Sequence, residues 1–193
     1  MVSPMSRLVF LACSGACCVG AGLRADVIEY LDKAEWQLGA GDYTTIDFTG
    51  FAEGTKITDQ YADLGVLFGS DIAIHLSSFQ DGAGLFGGGG GSSAIEIWFA
   101  EPVTAVAVDL LGDVQFELYQ GEQLAYSSTV FGEPVPSFAG LISSEPFDAV
   151  KILDPFDSEV FIDNLYFAPP IPGPSVLALL GVVFVGIVRR RRG

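Results

Sequence analysis

Residues 94–111 read AIEIWFAEPVTAVAVDLL. In the first half, Ile95, Ile97 and Phe99 fall on one side of an extended chain. In the second half, Val106, Val108 and Leu110 do the same. Side chains alternate with period two only in a strand, whereas a helix gathers its apolar residues every three or four positions. The stretch therefore reads as two half-buried strands separated at Glu101–Pro102. Working outward, YTTIDF (43–48), GVLFG (65–69), IAIHL (72–76), VQFELY (114–119), LAYSSTV (124–130), FAGLI (138–142), FDAVKIL (147–153) and EVFIDNLYF (159–167) are also short, β-branched and aromatic. Gly, Pro, Asp and Ser punctuate them.

Nothing between Tyr43 and Phe167 supports a long helix. Many short strands with regular turns predict an all-β body, here an antiparallel two-sheet β-sandwich of jelly-roll type. One short helix is expected before it, over residues 26–38. Asp26 would cap it, Glu29 would complete a capping box, and Gly39 would stop it. DGAGLFGGGGGSS (81–93) reads as a mobile loop, because glycine loses the most backbone freedom on ordering. A phosphate cradle is rejected there, since no lysine follows the glycines and the surroundings are acidic.

The two ends differ from the body. Residues 1–25 carry one early arginine, Arg7, then an apolar run and small residues before Asp26, as a secretory signal does. All three cysteines, Cys13, Cys17 and Cys18, lie in this segment, so the mature body has no disulfide and a packed core must hold it. Between Asp26 and Pro170 there are three lysines, Lys33, Lys56 and Lys151, against all 24 acidic residues, a net charge of −21. Such a body repels phosphate backbones, which excludes nucleic acid as a partner. It suits solubility outside the cell, or a cation.

At the other end, residues 175–188 carry no charge, and Arg189, Arg190, Arg191 and Arg192 follow directly. Counted from Ile171, the apolar run has a helical length of about 27 Å, close to a ~30 Å hydrocarbon layer. The arginines would stay on the cytoplasmic side and stop the chain there. The order of a short proline motif (Pro172, Gly173, Pro174, Ser175), then VLALLG, then terminal arginines resembles the PEP-CTERM sorting tail of exported bacterial proteins. That resemblance implies membrane insertion and hand-over to an exosortase-like processing enzyme. Gly173 stands where the family usually has glutamate, which bears on processing rather than on insertion. The expected organisation is a signal segment (1–25), a β-sandwich (26–168) and a sorting tail (169–193).

Within the body, DKAEWQLGAGDYTTIDFTGFAEGTKITDQYADLGVLFGSD (32–71), FAEPVTAVAVDLLG (99–112) and VFIDNLYF (160–167) resemble a β-sandwich domain widespread in exported proteins with this tail. The resemblance implies the fold more than any activity; carbohydrate binding has been suggested for some members.

Residues that could carry chemistry are few. His75 is the chain's single histidine, and within IAIHL it reads as a strand residue on a half-polar face. No cysteine pair, HExxH or GxSxG motif remains to build a nucleophile or a zinc site. Paired carboxylates could serve a glycoside-acting enzyme, but with this many acids close pairs are expected regardless. Asp163, between apolar neighbours, must find donors or a cation, and Asp47 in TTIDFTG is placed similarly. Two readings stay open: Asp47, Asp163 and Asn164 as oxygen ligands of Ca2+, or each carboxylate accepting backbone N–H bonds at a turn or bulge. Trp36, on the helix, and Trp98, alternating away from Ile97 and Phe99, are both read as core residues. The expected function is that of a non-enzymatic, exported protein, membrane-anchored by its tail and then surface- or matrix-associated. The alternatives are an exopolysaccharide-binding module and an enzyme.

Overall fold

The computed structural model describes residues 26–76, 84–87, 94–156 and 159–170. The expected signal segment, the proline motif Pro172–Ser175, the apolar run and Arg189–Arg192 lie outside the described residues. Among the described residues, no helix is long and apolar enough to cross a membrane.

The chain is mostly strand and wholly antiparallel in its pairing. In order come β1 (Val27–Tyr30), α1 (Lys33–Ala40), β2 (Thr44–Ile46), a 3-10 turn (Ala62–Leu64), β3 (Val66–Phe68), β4 (Ile72–His75), β5 (Gly84–Gly87), β6 (Ala94–Gln120), β7 (Gln123–Ser127), β8 (Phe131–Leu153) and β9 (Val160–Ala168). Strands expected separately at 94–99, 103–110 and 114–119 run together as the 27-residue β6, and those at 138–142 and 147–153 as the 23-residue β8. Bulges replace turns at the bends. The β6–β8 register breaks between Trp98 and Val103, around Pro102, and again between Leu110 and Gly112. Gly112 has φ +79°, the left-handed conformation that favours glycine.

The register divides the strands into two hydrogen-bonded groups. In the first, residues 149–153 of β8 lie between residues 94–98 of β6 on one edge and 115–119 of the same strand on the other. Outside them come β3, on 97–99, and β7, on 117–120. In the second group, the middle of β6 pairs with residues 137–142 of β8 on one side and with β9 on the other. β1 flanks β8. The far edge of β9 takes β2 along one half and β5 along the other, with β4 beyond β5. Ile95, Ile97, Phe116, Val150 and Ile152 of the first group and Val106, Val108, Leu141, Leu165 and Phe167 of the second share one buried core. Ile95, Ile97, Val106 and Val108 among them are residues that the period-two pattern assigned to a common side of their strands.

Two expectations are corrected. The N-terminal helix begins at Lys33, not Asp26. Asp32 caps it, its carboxylate accepting from Glu35 N at 2.9 Å. Val27–Tyr30 instead pairs with residues 140–143 of β8, because β-branched and aromatic residues with a strand edge to join gain more than a short helical stripe does. The glycine-rich stretch is not all loop. Gly84–Gly87 is a buried strand between β4 and β9, and a Cβ on Gly87 would sit 2.8 Å from Ile95 Cγ1. Glycine here serves close approach, which a reading based on entropy alone missed.

Ile152, between Ile95 and Phe116 and fully buried, is where the two ends of β6 meet β8. Ile152→Ala is expected to cost about 2–5 kcal/mol. Urea denaturation checks this, and an unchanged midpoint would contradict the register.

Candidate functional site

The outer faces of the two groups have different fates. On the second group, Ala105 and Ala107 alternate with the core valines, and with Gly140 they leave a shallow floor. Trp36 of α1 fills it. It is fully buried, its Nε1 donates to Leu141 O at 3.2 Å, and a Cβ on Gly140 would lie 2.5 Å from its ring. Phe138, Tyr166 and Tyr43 surround the indole at centroid distances of 5.6–6.1 Å.

A polar knot closes one side of this contact. Asp109 on β6 accepts from Lys33 Nζ at 3.1 Å, Tyr166 OH at 2.8 Å and Asn164 Nδ2 at 3.1 Å. Lys33 also donates to the Tyr166 hydroxyl and lies 4.4 Å from that ring's centroid, within cation–π range. Burial, then the hydrogen bond to Asp109 and the nearby charges of Asp109 and Asp163, push the Tyr166 phenol well above its ordinary value, so it remains a donor.

Asp163 and Asn164 belong to the same knot. Asn164 is the extra residue of a β-bulge, since Val108 pairs with Leu165 and Asp109 with Asp163, and it has φ +51°. Its N–H donates to Asp163 Oδ1 at 2.8 Å and its Nδ2 to Oδ2 at 3.3 Å. Asp47 is exposed in a local turn, where Oδ1 accepts from Thr49 N at 3.2 Å and Thr49 Oγ1 at 3.0 Å. The expected calcium ligands therefore face donors. Asn164 turns an amide nitrogen toward both carboxylates and Lys33 holds Asp109, whereas Ca2+ requires about 6–8 oxygen ligands. Among the described residues, no group of three or more His, Cys, Asp or Glu could hold a metal ion. The donor set does not fit calcium. Asp109, which sequence reasoning did not single out, is the centre of the knot. His75 is half-buried, packed against the Phe86 and Phe161 rings, with Nε2 4.0 Å from Glu53.

The outer face of the first group is open. Trp98, expected in the core, is 43% exposed. It pairs with Ala149, which pairs on its other edge with Tyr119, so two aromatics stand on either side of a methyl group. Two strand spacings separate them, about 9.6 Å. Two residues along the same face runs a second row, Glu96–Lys151–Glu117. Lys151 Nζ lies 3.3 Å from Glu96, and Tyr119 OH donates to Glu117 at 2.6 Å. That bond, followed by burial and the charges of Glu117 and Glu96, pushes the Tyr119 phenol up to about 12. Gly121 closes one end of the groove; it has φ +58° and its N–H donates to the Asp148 carboxylate at 2.9 Å. The groove encloses about 230 Å³ among Trp98, Tyr119, Ala149, Glu96 and Lys151. It offers the exposed Trp98 side chain beside a half-buried tyrosine, a line of carboxylate acceptors and one ammonium donor.

No protein-family model matches the chain, and no curated protein matches its sequence. Similar solved structures are carbohydrate-binding modules. One is a "Carbohydrate binding module family29" at 14% identity, covering 66% of this chain and 89% of that one, TM-score 0.42. A variant of CBM29-2 shows 14% identity over 69% of this chain and 99% of that one, TM-score 0.44. CBM86 of Roseburia intestinalis, described as a low affinity xylan binding module, shows 12% identity over 66% and 95%, TM-score 0.38. Likeness this loose assigns no ligand.

Asp109→Ala leaves Tyr166 and Lys33 without their shared acceptor and should destabilise the fold by about 1.5–3 kcal/mol. Lys33→Ala, at a side chain 41% exposed, should cost about 0.2–1 kcal/mol. Chemical denaturation of both variants checks the ranking.

Proposed function

We propose that this chain is an exported, non-enzymatic β-sandwich that binds polysaccharide on its Trp98–Tyr119 face and is delivered to the cell surface or matrix by a PEP-CTERM-like membrane tail. The observation that carries the binding reading is the exposed Trp98 ring, set across Ala149 from the half-buried Tyr119. A sugar ring presents apolar C–H faces and polar edges. An exposed aromatic with a neighbouring row of charged hydrogen-bonding groups matches both, and a stiff aromatic gives up little conformational freedom on binding. A large aromatic left on a bare sheet face in an otherwise acidic, soluble body needs an occupant more than an isolated surface leucine does.

The two strand groups sharing one core support closure into a sandwich of jelly-roll type. Delivery is supported by the sequence alone: the apolar run 175–188 ahead of four arginines, and a cysteine-free body behind a signal-like segment. A body without cysteine between residues 26 and 170, a single histidine in the chain, and the engagement of Asp109 and Asp163 within the fold favour a binding protein over a catalyst.

Affinity electrophoresis in gels containing soluble β-glucan, galactomannan or xylan tests the face. The wild type should be retarded by at least one of them. Trp98→Ala should lose roughly tenfold in affinity, equivalent to ~1.4 kcal/mol, while unfolding at an unchanged midpoint because the side chain lies outside the core. A wild type retarded by none of the three, or a Trp98→Ala variant retarded equally, would refute the reading. The intact mass of the protein recovered from fractionated cells tests delivery: a chain beginning near residue 26 and absent from the cytosol is expected, and the full Met1–Gly193 chain in cytosol would refute it.

A further inference from the structure

The aromatic pair is the middle of a longer row. Leu67 on β3 pairs with Trp98, and Leu124 on β7 pairs with Tyr119. Leu67, Trp98, Ala149, Tyr119 and Leu124 thus cross all five strands of the first group. The row covers four strand spacings, about 19 Å. Its ends are open, Leu67 being 44% and Leu124 48% exposed. A ligand following it would lie across the strands and leave the sheet at both edges.

The charges beside the row have one sign once pairs are counted. Lys151 is the one cation among the described residues that line the groove, and Glu96 holds it at 3.3 Å. Glu117 remains, tied to the neutral Tyr119 phenol, with Asp148 and the exposed Glu122 at the turn after β6. Glu117 and Asp148 are bonded to Tyr119 and Gly121 of the groove's lining, and the row is shorter than twice the ~10 Å screening length at 0.1 M salt. A carboxylate on the ligand would meet carboxylates whose partners, Tyr119 and Gly121, carry no positive charge. A hydroxyl would meet acceptors, and a hydrogen bond to a charged acceptor is among the stronger kinds.

Building on the polysaccharide-binding reading, we infer that this groove takes an internal stretch of an extended, uncharged glycan lying across the strands, and rejects polymers that carry uronate groups. Position along the chain is read by the open row, and charge by Glu117 and Asp148.

The test uses the full chain in mild detergent and calorimetry with two ligand series. The first is a β-glucan oligosaccharide ladder from the monosaccharide to the hexasaccharide. Affinity should rise along it, and borohydride reduction of the hexasaccharide's end should leave its affinity unchanged. Saturation at the monosaccharide, or loss on end reduction, would overturn the internal mode. The second series compares β-glucan with the same polymer oxidised to carboxylate at C6. Oxidation should weaken binding roughly tenfold at low salt, ~1.4 kcal/mol. Added salt and Glu117→Gln should each narrow the gap. Equal or tighter binding of the oxidised polymer would overturn the charge rule. If β-glucan binds and Trp98→Ala weakens it as expected while oxidation changes nothing, this inference fails and the binding face stands. If neither the wild type nor Glu117→Gln binds any member of either series, the inference fails together with its premise for this glycan.

Discussion

Five residues, 149–153, are held on both edges by opposite ends of a single strand. This constraint organises the molecule. A strand inside a sheet satisfies its backbone groups with a partner on each side, and here β6 supplies both by leaving the first group, crossing the second, and returning. β8 makes the matching excursion. Neither group can form without the other, because the same two segments belong to both. Folding is therefore expected to be cooperative and dominated by contacts distant in sequence. It needs no disulfide, since the crossing itself ties the layers together. Glu29 adds a clasp at the rim: on β1 of the second group, it accepts from Tyr126 and Thr129 at the end of β7 in the first. Burial opposes its ionisation, but these bonds outweigh it and hold the carboxyl below its usual value. The clasp is fully present above the ordinary carboxylate pKa and weakens as pH falls through the lower folded value.

The same constraint leaves two outer faces, and their residues decide what each does. On the second group small residues stand outward, Ala105, Ala107 and Gly140, and a helix settles there with Trp36 buried and Lys33 bound to Asp109. On the first group large residues stand outward, Trp98 and Tyr119, with only Ala149 small between them. A helix docked over them would have to bury Glu96, Lys151 and Glu117 as well. That face stays bare, with Trp98 and the Glu96–Lys151–Glu117 row standing on it, and it is the face the proposed reading gives to a ligand of mixed polarity.

Much of this was legible in the sequence. The short β-branched runs pointed to the all-β class and to most of the strands, and the period-two pattern picked out core residues of β6, Ile95, Ile97, Phe99, Val106, Val108 and Leu110. It also placed Trp98 opposite Ile97 and Phe99, which is the outward position. The core reading of Trp98 followed the general preference for burying tryptophan over that specific alternation, and the alternation was right. The alanines of TAVAV carried the complementary signal, a face too shallow to stand alone, but their meaning required knowing which segment covers them. The helix was misplaced because Asp26–Glu29 and Asp32–Glu35 are equally good capping pairs locally, and only the edge of β8 separates them. The partnership of Asp109 with Asp163 and Asn164 depends on a one-residue bulge, which no local pattern reveals. Strand β5 was hidden because its glycines were read for flexibility when their role is to let Ile95 approach.

The two tryptophans provide the most direct test of the central claim, that one outer face is sealed and the other is open to a glycan. Acrylamide quenching of Trp36→Phe and Trp98→Phe variants, each carrying one indole, reads the two faces separately. The account predicts that Trp98 alone is readily quenched in the free protein, and that saturating neutral polysaccharide shields it while leaving Trp36 unaffected. A Trp98 that is shielded without ligand, or that stays fully quenchable at saturation, would contradict it.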